Sequence, residues 1–333
     1  MNIKEEILKL KKSLDVTVVA HFYQRDEVFE LADITGDSLE LAKKSMEATT
    51  KFILFCGVGF MGEGVKILSP NKRVLMPKIA CCAMARMIDV DYYDDNIAKL
   101  NEAGIKSEDI LPITYINSSA AVKARVGQMG GLVCTSSNAY KIIQKGLESG
   151  KKILFVPDRC LGQNFAKQMN LKSAIVGDGS DLNEADIICY NGFCSVHQQF
   201  TVEDVEFYKE KYDDILIAVH PECDPSVCDV ADFVGSTSQL IKYIKELPIE
   251  QKVAVGTEFN MVNRLRDKNT YILSSTKPEC PTMNETTLED LYNTLKTMEV
   301  EQDEPYESEI LVSQEDAKWA KIALQRMFEI WLI

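Results

Sequence analysis

Apolar, β-branched runs recur along the chain, each followed by a polar cluster and then by apolar residues at helical spacing. Residues 16–20 form the first run and end at His21. Residues 111–116 form the second and lead to Asn117, and residues 215–219 form the third and lead to His220. Runs of this kind read as buried strands, and their alternation with helices predicts parallel sheets covered by helices. In each round a short hydroxyl-bearing segment then opens a helix. These segments are Gly36-Asp37-Ser38 before LELAKKSM, Thr135-Ser136-Ser137 before NAYKIIQKGL, and Gly235-Ser236-Thr237 before SQLIKYIKEL. A further strand follows at 52–56, 153–156 and 253–256, and each round closes near a cysteine: Cys82, Cys194 or Cys280. Corresponding features return about every 100 positions. Self-similarity of this kind signals a repeated architecture.

The expected division is therefore an α/β repeat over 1–100, a second over 101–200 and a third over 201–300. Residues 301–333 form a C-terminal linker and a helix that packs back on the core. At the start, Ile3, Ile7, Leu10 and Leu14 share one face among charged residues, which predicts an amphipathic helix and not a signal peptide. Two late helices are expected at 287–298 and 314–330. The acidic stretch EVEQDEPYESE between them is expected to be exposed.

Composition narrows the function. The 333 residues are 46% apolar and 26% charged, which is globular and excludes disorder. A net charge of −14 disfavours a nucleic-acid or anionic-membrane partner, since both need a basic surface. No apolar run approaches the roughly 18 residues that span a bilayer. A cytoplasmic location is expected, where thiols stay reduced. The ten cysteines then need an explanation other than disulfides. No Cys-x-x-Cys occurs, which argues against zinc fingers and local electron-transfer clusters. One cysteine per repeat, meeting near an approximate three-fold axis, would suit an iron–sulfur cluster with one iron free to take substrate oxygen. The competing reading is that buried cysteines act as small hydrophobes. Cys56, Cys134 and Cys189 read most simply that way, while Cys81, Cys160, Cys223 and Cys228 stay open.

Ligands of open parallel sheets bind beyond the carboxyl ends of strands. His21, the segment 115–117 and the segment 220–222 lie at such ends. Ser38, Ser136 and Thr237 would stand at the following helix N-termini, where free N–H groups favour an anion, or would simply cap those helices. Glu222 is either an acid or base or a solvated carboxylate. Tyr23 either bonds substrate or packs. All three histidines fall in these clusters. His197, close to Cys194, reads better as structural than as a group supporting the cysteine.

Twelve ordered blocks carry a family resemblance over nearly the whole chain: AHFYQ, ADITGDSLELAKK, FCGVGFMGEGVKILSPNKRVLMP, CCAMA, YINSSA, VCTSSNA, PDRCLG, GFCSVH, VHPEC, ADFVGSTSQL, GTEFNMVNRL and CPTM. Together they resemble the iron–sulfur quinolinate synthase A family. The resemblance implies three similar three-layer αβα domains with parallel sheets in pseudo-three-fold arrangement around a [4Fe–4S] cluster. It implies condensation of iminoaspartate (iminosuccinate) with dihydroxyacetone phosphate to quinolinate, phosphate and water in NAD biosynthesis. By motif, the cluster ligands are Cys82 rather than Cys81, Cys194 and Cys280. Substrate binding falls to His21, Ser38, Tyr115, Asn117, Ser136, His220, Glu222 and Thr237, and catalysis to Glu222, Tyr23, His21 and Tyr115. Transient contact with L-aspartate oxidase or aspartate dehydrogenase is part of the same expectation. The chain departs from the family pattern at Gly62, at Tyr190-Asn191 and at Cys160. Rival readings are another iron–sulfur (de)hydratase or redox enzyme on the same scaffold, or a non-catalytic α/β ligand-binding protein.

Overall fold

The computed structural model describes residues 2–331. It contains three separate sheets, and every strand pairing within them is parallel. The first sheet holds β1 (Val16–His21), β2 (Ile34–Gly36), β3 (Phe52–Cys56) and β4 (Arg73–Leu75), in the order β2-β1-β3-β4. The second holds β5 (Ile110–Tyr115), β6 (Leu132–Cys134), β7 (Lys152–Val156), β8 (Ser173–Ile175) and β9 (Ile187–Cys189), in the order β6-β5-β7-β9-β8. The third holds β10 (Leu216–Val219), β11 (Phe233–Val234), β12 (Val253–Gly256) and β13 (Thr270–Ile272), in the order β11-β10-β12-β13. The three orders are the same apart from one extra edge strand in the second. In each, the chain leaves the first strand to one side and returns to the other, which opens a crevice at that strand's carboxyl end. Helices on both faces bury the central strands, and all six residues of β5 are buried.

Register fixes how the three units correspond. His21 pairs with Gly36, Tyr115 with Cys134, and Val219 with Val234, which sets His220 beside Gly235. The same turn then closes each unit: Gln24 N–H to His21 O (3.0 Å), Ser118 N–H to Tyr115 O (3.1 Å) and Cys223 N–H to His220 O (3.0 Å). His21, Tyr115 and His220 are therefore equivalent, as are Tyr23, Asn117 and Glu222 two residues on. The sequence pattern instead matched Asn117 with the two histidines. The structure moves that match by two positions, because Ile116 is buried beyond the end of β5 and prolongs the apolar run.

The amphipathic helix Ile3–Ser13 packs Ile7 and Leu10 against Leu291 and Leu295 of the helix Leu288–Met298, beside the first sheet. The last helix, Gln314–Trp331, lies on the helix Ala120–Gln128 of the second unit. The two backbones approach so closely that a Cβ on Gly127 would stand 2.2 Å from the Trp319 carbonyl oxygen. The acidic stretch 299–309 is exposed over most of its length, but Tyr306 is buried and Glu309 is clamped by Arg73 (Nε–Oε2 3.0 Å). Ser308 O accepts from Met76 N–H (2.9 Å), and Ile310 N–H donates to Val74 O (2.8 Å). A Cβ on Gly62 would meet Met76 Sδ at 2.7 Å and Ile310 Cγ1 at 3.0 Å, so glycine there admits this returning segment. Among the described residues no helix is long and apolar enough to cross a membrane.

Candidate active site

The carboxyl ends of β1, β5 and β10 converge on one cavity of about 90 Å³ lined by all three units. The equivalent positions His21, Tyr115 and His220 line it, as do Tyr23, Asn117 and Glu222. So do Ser38, Ser136 and Thr237 at the helix starts, and Cys82, Cys194 and Cys280. Every residue expected to bind the cluster or substrate, or to act in catalysis, is thus brought to one place, although the outermost of these cysteines are nearly two hundred positions apart.

Each cysteine sits in the same backbone device. The first N–H of a helix holds the carbonyl two residues before the cysteine: Gly59 to Ala80 (2.8 Å), Arg159 to Gly192 (2.9 Å) and Phe259 to Pro278 (3.0 Å). A single 3₁₀ turn follows, in which Arg86, Gln198 and Asn284 return their N–H groups to the carbonyls of Cys82, Cys194 and Cys280 at 3.1–3.2 Å. Backbone N–H groups at the turn starts reach the sulfurs: Ala85 and Met84 for Cys82, His197 for Cys194, and Met283 and Thr282 for Cys280. Burial pushes all three thiols up, Cys82 to about 12; Cys280 adds to this at Cys82, and Glu222, Cys82 and Cys280 add to it at Cys194. Three half-buried cysteines whose sulfurs repel as thiolates, yet receive N–H donors, form a donor set that a cationic iron cluster would satisfy. The residues present therefore fit such a group.

The other cysteines stay apart from the cavity. Cys56, Cys134 and Cys189 are fully buried within the cores. Cys223 is buried, with its thiol toward Gly256 O (3.5 Å). Cys160 accepts from Gln198 Nε2 (3.4 Å), and Cys81 is half-buried.

Beside the Cys194 thiol lies a hydrogen-bonded acid–base array. The Tyr115 hydroxyl donates to Glu222 Oε1 (2.6 Å), and His197 Nδ1 meets Glu222 Oε2 at 3.1 Å. Burial raises the Glu222 carboxyl. The charge and hydrogen bond of His197, with His220 and Tyr115, outweigh burial and hold it below the usual carboxylate range. Burial lowers His21 to about 4 and His220 to about 3, so both are neutral at pH 7. Their Nδ1 atoms accept backbone N–H bonds from Tyr23 (3.1 Å) and Glu222 (3.3 Å), which leaves the proton on Nε2 as a donor. Burial raises both tyrosines well above their ordinary value, so they stay phenols.

His197 is more engaged than its sequence context suggested. It lines the cavity, stacks on His220 at 4.6 Å and bonds Glu222. One ligand atom each from Cys194, His197 and Glu222 lie within 4.8 Å of one another, so this trio too could hold a metal ion.

Capping does not account for the hydroxyls at the helix starts. Asp37 caps the helix Ser38–Glu47, and Ser236 caps Thr237–Glu246, each one residue before the hydroxyl in question. In the second unit the helix starts later, at Ala139, and Asn138 takes the Thr135 N–H (2.7 Å). Asn117 Oδ1 and Thr135 Oγ1 are buried in the lining without a protein partner. Each such group costs about 1–3 kcal/mol, which points to a polar ligand between them. Asp37 also clasps the units together, accepting from Ser137 Oγ (3.2 Å) and Ser238 Oγ (2.5 Å). The sequence reading gave no role to Asp37 or Thr135. The signal for both was present, since they occupy the same place in repeated hydroxyl segments.

A triplicated α/β scaffold that closes a sulfur-lined, acid–base-equipped cavity on its pseudo-three-fold axis defines an enzyme-type site. The family model described as Quinolinate synthetase A protein matches residues 5–329. The chain is 55% identical to the quinolinate synthase of Helicobacter pylori strain HPAG1, over 99% of this chain and 98% of that one. It is 38% identical to the quinolinate synthase of Streptomyces coelicolor, over 95% and 84% respectively. Identity to that of Listeria innocua is 36%, over 97% and 92%. The chain belongs to the quinolinate synthetase A family.

Proposed function

We propose that the protein condenses iminoaspartate with dihydroxyacetone phosphate to give quinolinate, phosphate and water. On this reading it is a cytoplasmic transferase of de novo NAD biosynthesis. One observation carries the reading: three identical cysteine turns, one per unit, face a cavity that also holds the Glu222 array. Cys82, Cys194 and Cys280 would hold a [4Fe–4S] cluster. When bound, that cluster supplies a Lewis-acidic iron with no protein ligand, suited to dehydration without net electron transfer.

The chain's own residues supply the remaining chemistry. The Nε2–H groups of His21 and His220 and the hydroxyls of Ser38, Ser136 and Thr237 offer donors to carboxylate and phosphate oxygens. Asn117 completes the acceptor side. Glu222, ionised and beside two phenols, takes a proton from substrate, and Tyr23 and Tyr115 are placed to give one. Burial of His21, Tyr115, His220 and Glu222 limits water access to these groups during the steps. Iminoaspartate would come from L-aspartate oxidase or aspartate dehydrogenase, by transient contact. The acidic surface supports small-molecule substrates rather than nucleic acid or membrane.

Anaerobically purified protein given both substrates should release quinolinate, identified by its mass. Binding of both without product would instead support a ligand-binding protein. Ser136→Ala and Thr237→Ala should each weaken a quinolinate-like dicarboxylate about ten-fold or more, the worth of a charge-assisted hydrogen bond, while keeping the iron. Calorimetric titration beside iron analysis checks this. Unchanged affinity with a lower melting temperature would reduce both residues to structural roles.

A further inference from the structure

Tyr23, Asn117 and Glu222 ride on equivalent tight turns, but the carbonyls of those turns are held in different ways. In the first unit, Arg264 of the third unit donates from Nη1 to Gln24 O (3.0 Å) and from Nη2 to Phe22 O. Its Nη1 also pairs with Asp26 Oδ1 (2.7 Å), and its guanidinium lies over the Phe29 ring, 4.2 Å from the centroid. In the third unit, Asn164 of the second unit donates from Nδ2 to Pro221 O (2.8 Å) and to Cys223 O (2.9 Å). One side chain from a neighbouring unit thus holds the carbonyls on both sides of Tyr23, and another holds those on both sides of Glu222.

The repeat shows the two donors to be one device. The helix N–H groups that anchor the cysteine turns belong to Gly59, Arg159 and Phe259. Five residues further on stand Gly64, Asn164 and Arg264. The first unit therefore has glycine where the other two have a clamp, although a Cβ on Gly64 would meet no heavy atom within 4 Å. The turn left without a clamp is that of Asn117. Its equivalent carbonyl, Ser118 O, accepts instead from Lys123 Nζ of its own unit. The first two units still touch there, since Glu63 Oε2 accepts from Ala120 N–H (2.8 Å). The fold and the interface thus form without a side-chain clamp at this position. Clamps occur at the two turns whose side chains move protons, and not at the turn whose side chain is assigned to binding alone.

That distribution follows from what each turn must do. Proton transfer needs donor and acceptor within hydrogen-bond reach and in line, and small misplacements are costly. In the first turn Asn260 of the third unit adds a bond to Tyr23 O (3.3 Å), so both peptide planes at the Tyr23 Cα are fixed from across the interface. A planar guanidinium serves two carbonyls at a set separation, which a lysine ammonium does not reproduce.

We propose that Arg264 and Asn164 are positioning residues, which lock the turns of Tyr23 and Glu222 from neighbouring units and so align the two groups for proton transfer.

The inference rests on the proposed activity, so the wild-type holoenzyme runs beside every variant. Arg264→Met keeps the stem on Phe29 and removes the donors. Asn164→Leu keeps the size and removes the amide. Each should lower kcat about ten- to hundred-fold, as loss of alignment does, with affinity for a quinolinate-like dicarboxylate within about two-fold and iron at the wild-type level. Arg264→Lys keeps a charge beside Asp26 without the fork. It should regain the melting temperature of the wild type but little of the kcat, and Asp26→Asn should keep kcat. Should Arg264→Met fail to fold, Arg264→Gln is read in the same way. Side chains that only glue the units together would make kcat follow the melting temperature, with Arg264→Lys recovering both and Asp26→Asn losing both. That pattern, parallel losses of affinity and turnover, or wild-type kcat in Arg264→Met and Asn164→Leu overturns the clamp alone. Absence of quinolinate from the wild-type holoenzyme overturns the activity and the clamp with it.

Discussion

Cys194→Ala is expected to lose its iron and its turnover together, falling from about four irons per chain toward none when purified without oxygen. The reason lies in the geometry. Cys194 lines the cavity with the other two cysteines, and its turn is fixed by Arg159 N–H to Gly192 O (2.9 Å) and Gln198 N–H to Cys194 O (3.1 Å). No neighbouring cysteine can replace it, since Cys160 and Cys189 are buried away from the cavity. Cys82→Ala and Cys280→Ala should behave alike, because each occupies the same turn in its own unit. Cys81→Ala and Cys160→Ala are the contrasting cases and should keep iron and most activity. Iron and sulfide analysis with parallel turnover assays reads all five variants. A full, active cluster in Cys194→Ala would refute the ligand assignment.

Glu222→Gln should keep the fold, the iron and near-normal ligand affinity but lose about 10²–10⁴ in turnover, the usual cost of removing a positioned acid or base. The buried carboxylate accepts from Tyr115 at 2.6 Å and from His197 at 3.1 Å. Its charge cannot attract a dicarboxylate or a phosphate, so binding is not its contribution. A glutamine amide fills the same volume and can still accept one bond, but it cannot take a proton. Anaerobic kinetics beside a binding titration separates the possibilities. Near-wild-type turnover would remove Glu222 from proton transfer. Weakened binding with normal turnover at saturation would make it a positioning group.

The features legible from sequence were those with local signatures. Strand–helix alternation, the hydroxyl segments and one cysteine per round all have short-range patterns, and the residues they pick out line one cavity. The register between repeats was less legible. Buried Ile116 prolonged the second apolar run, so Asn117 took the place that pairing assigns to Tyr115. Tyr306 and Glu309 were hidden in an acidic stretch because their partner, Arg73, lies far away in sequence. His197 read as structural because its partners, Glu222 and Thr257, sit in the next unit. Side chains that act across domain boundaries depend on packing, and a periodic pattern carries no information about such contacts.

The central claim is that three thiolates, one per repeat, hold a four-iron cluster in a cavity that makes quinolinate. The most direct measurement scores iron, acid-labile sulfide and quinolinate on one anaerobic sample supplied with iminoaspartate and dihydroxyacetone phosphate. About four irons and four sulfides per chain are predicted, with quinolinate forming only when both substrates are present. Quinolinate formation by iron-free protein, or a full cluster without any product, would contradict the account.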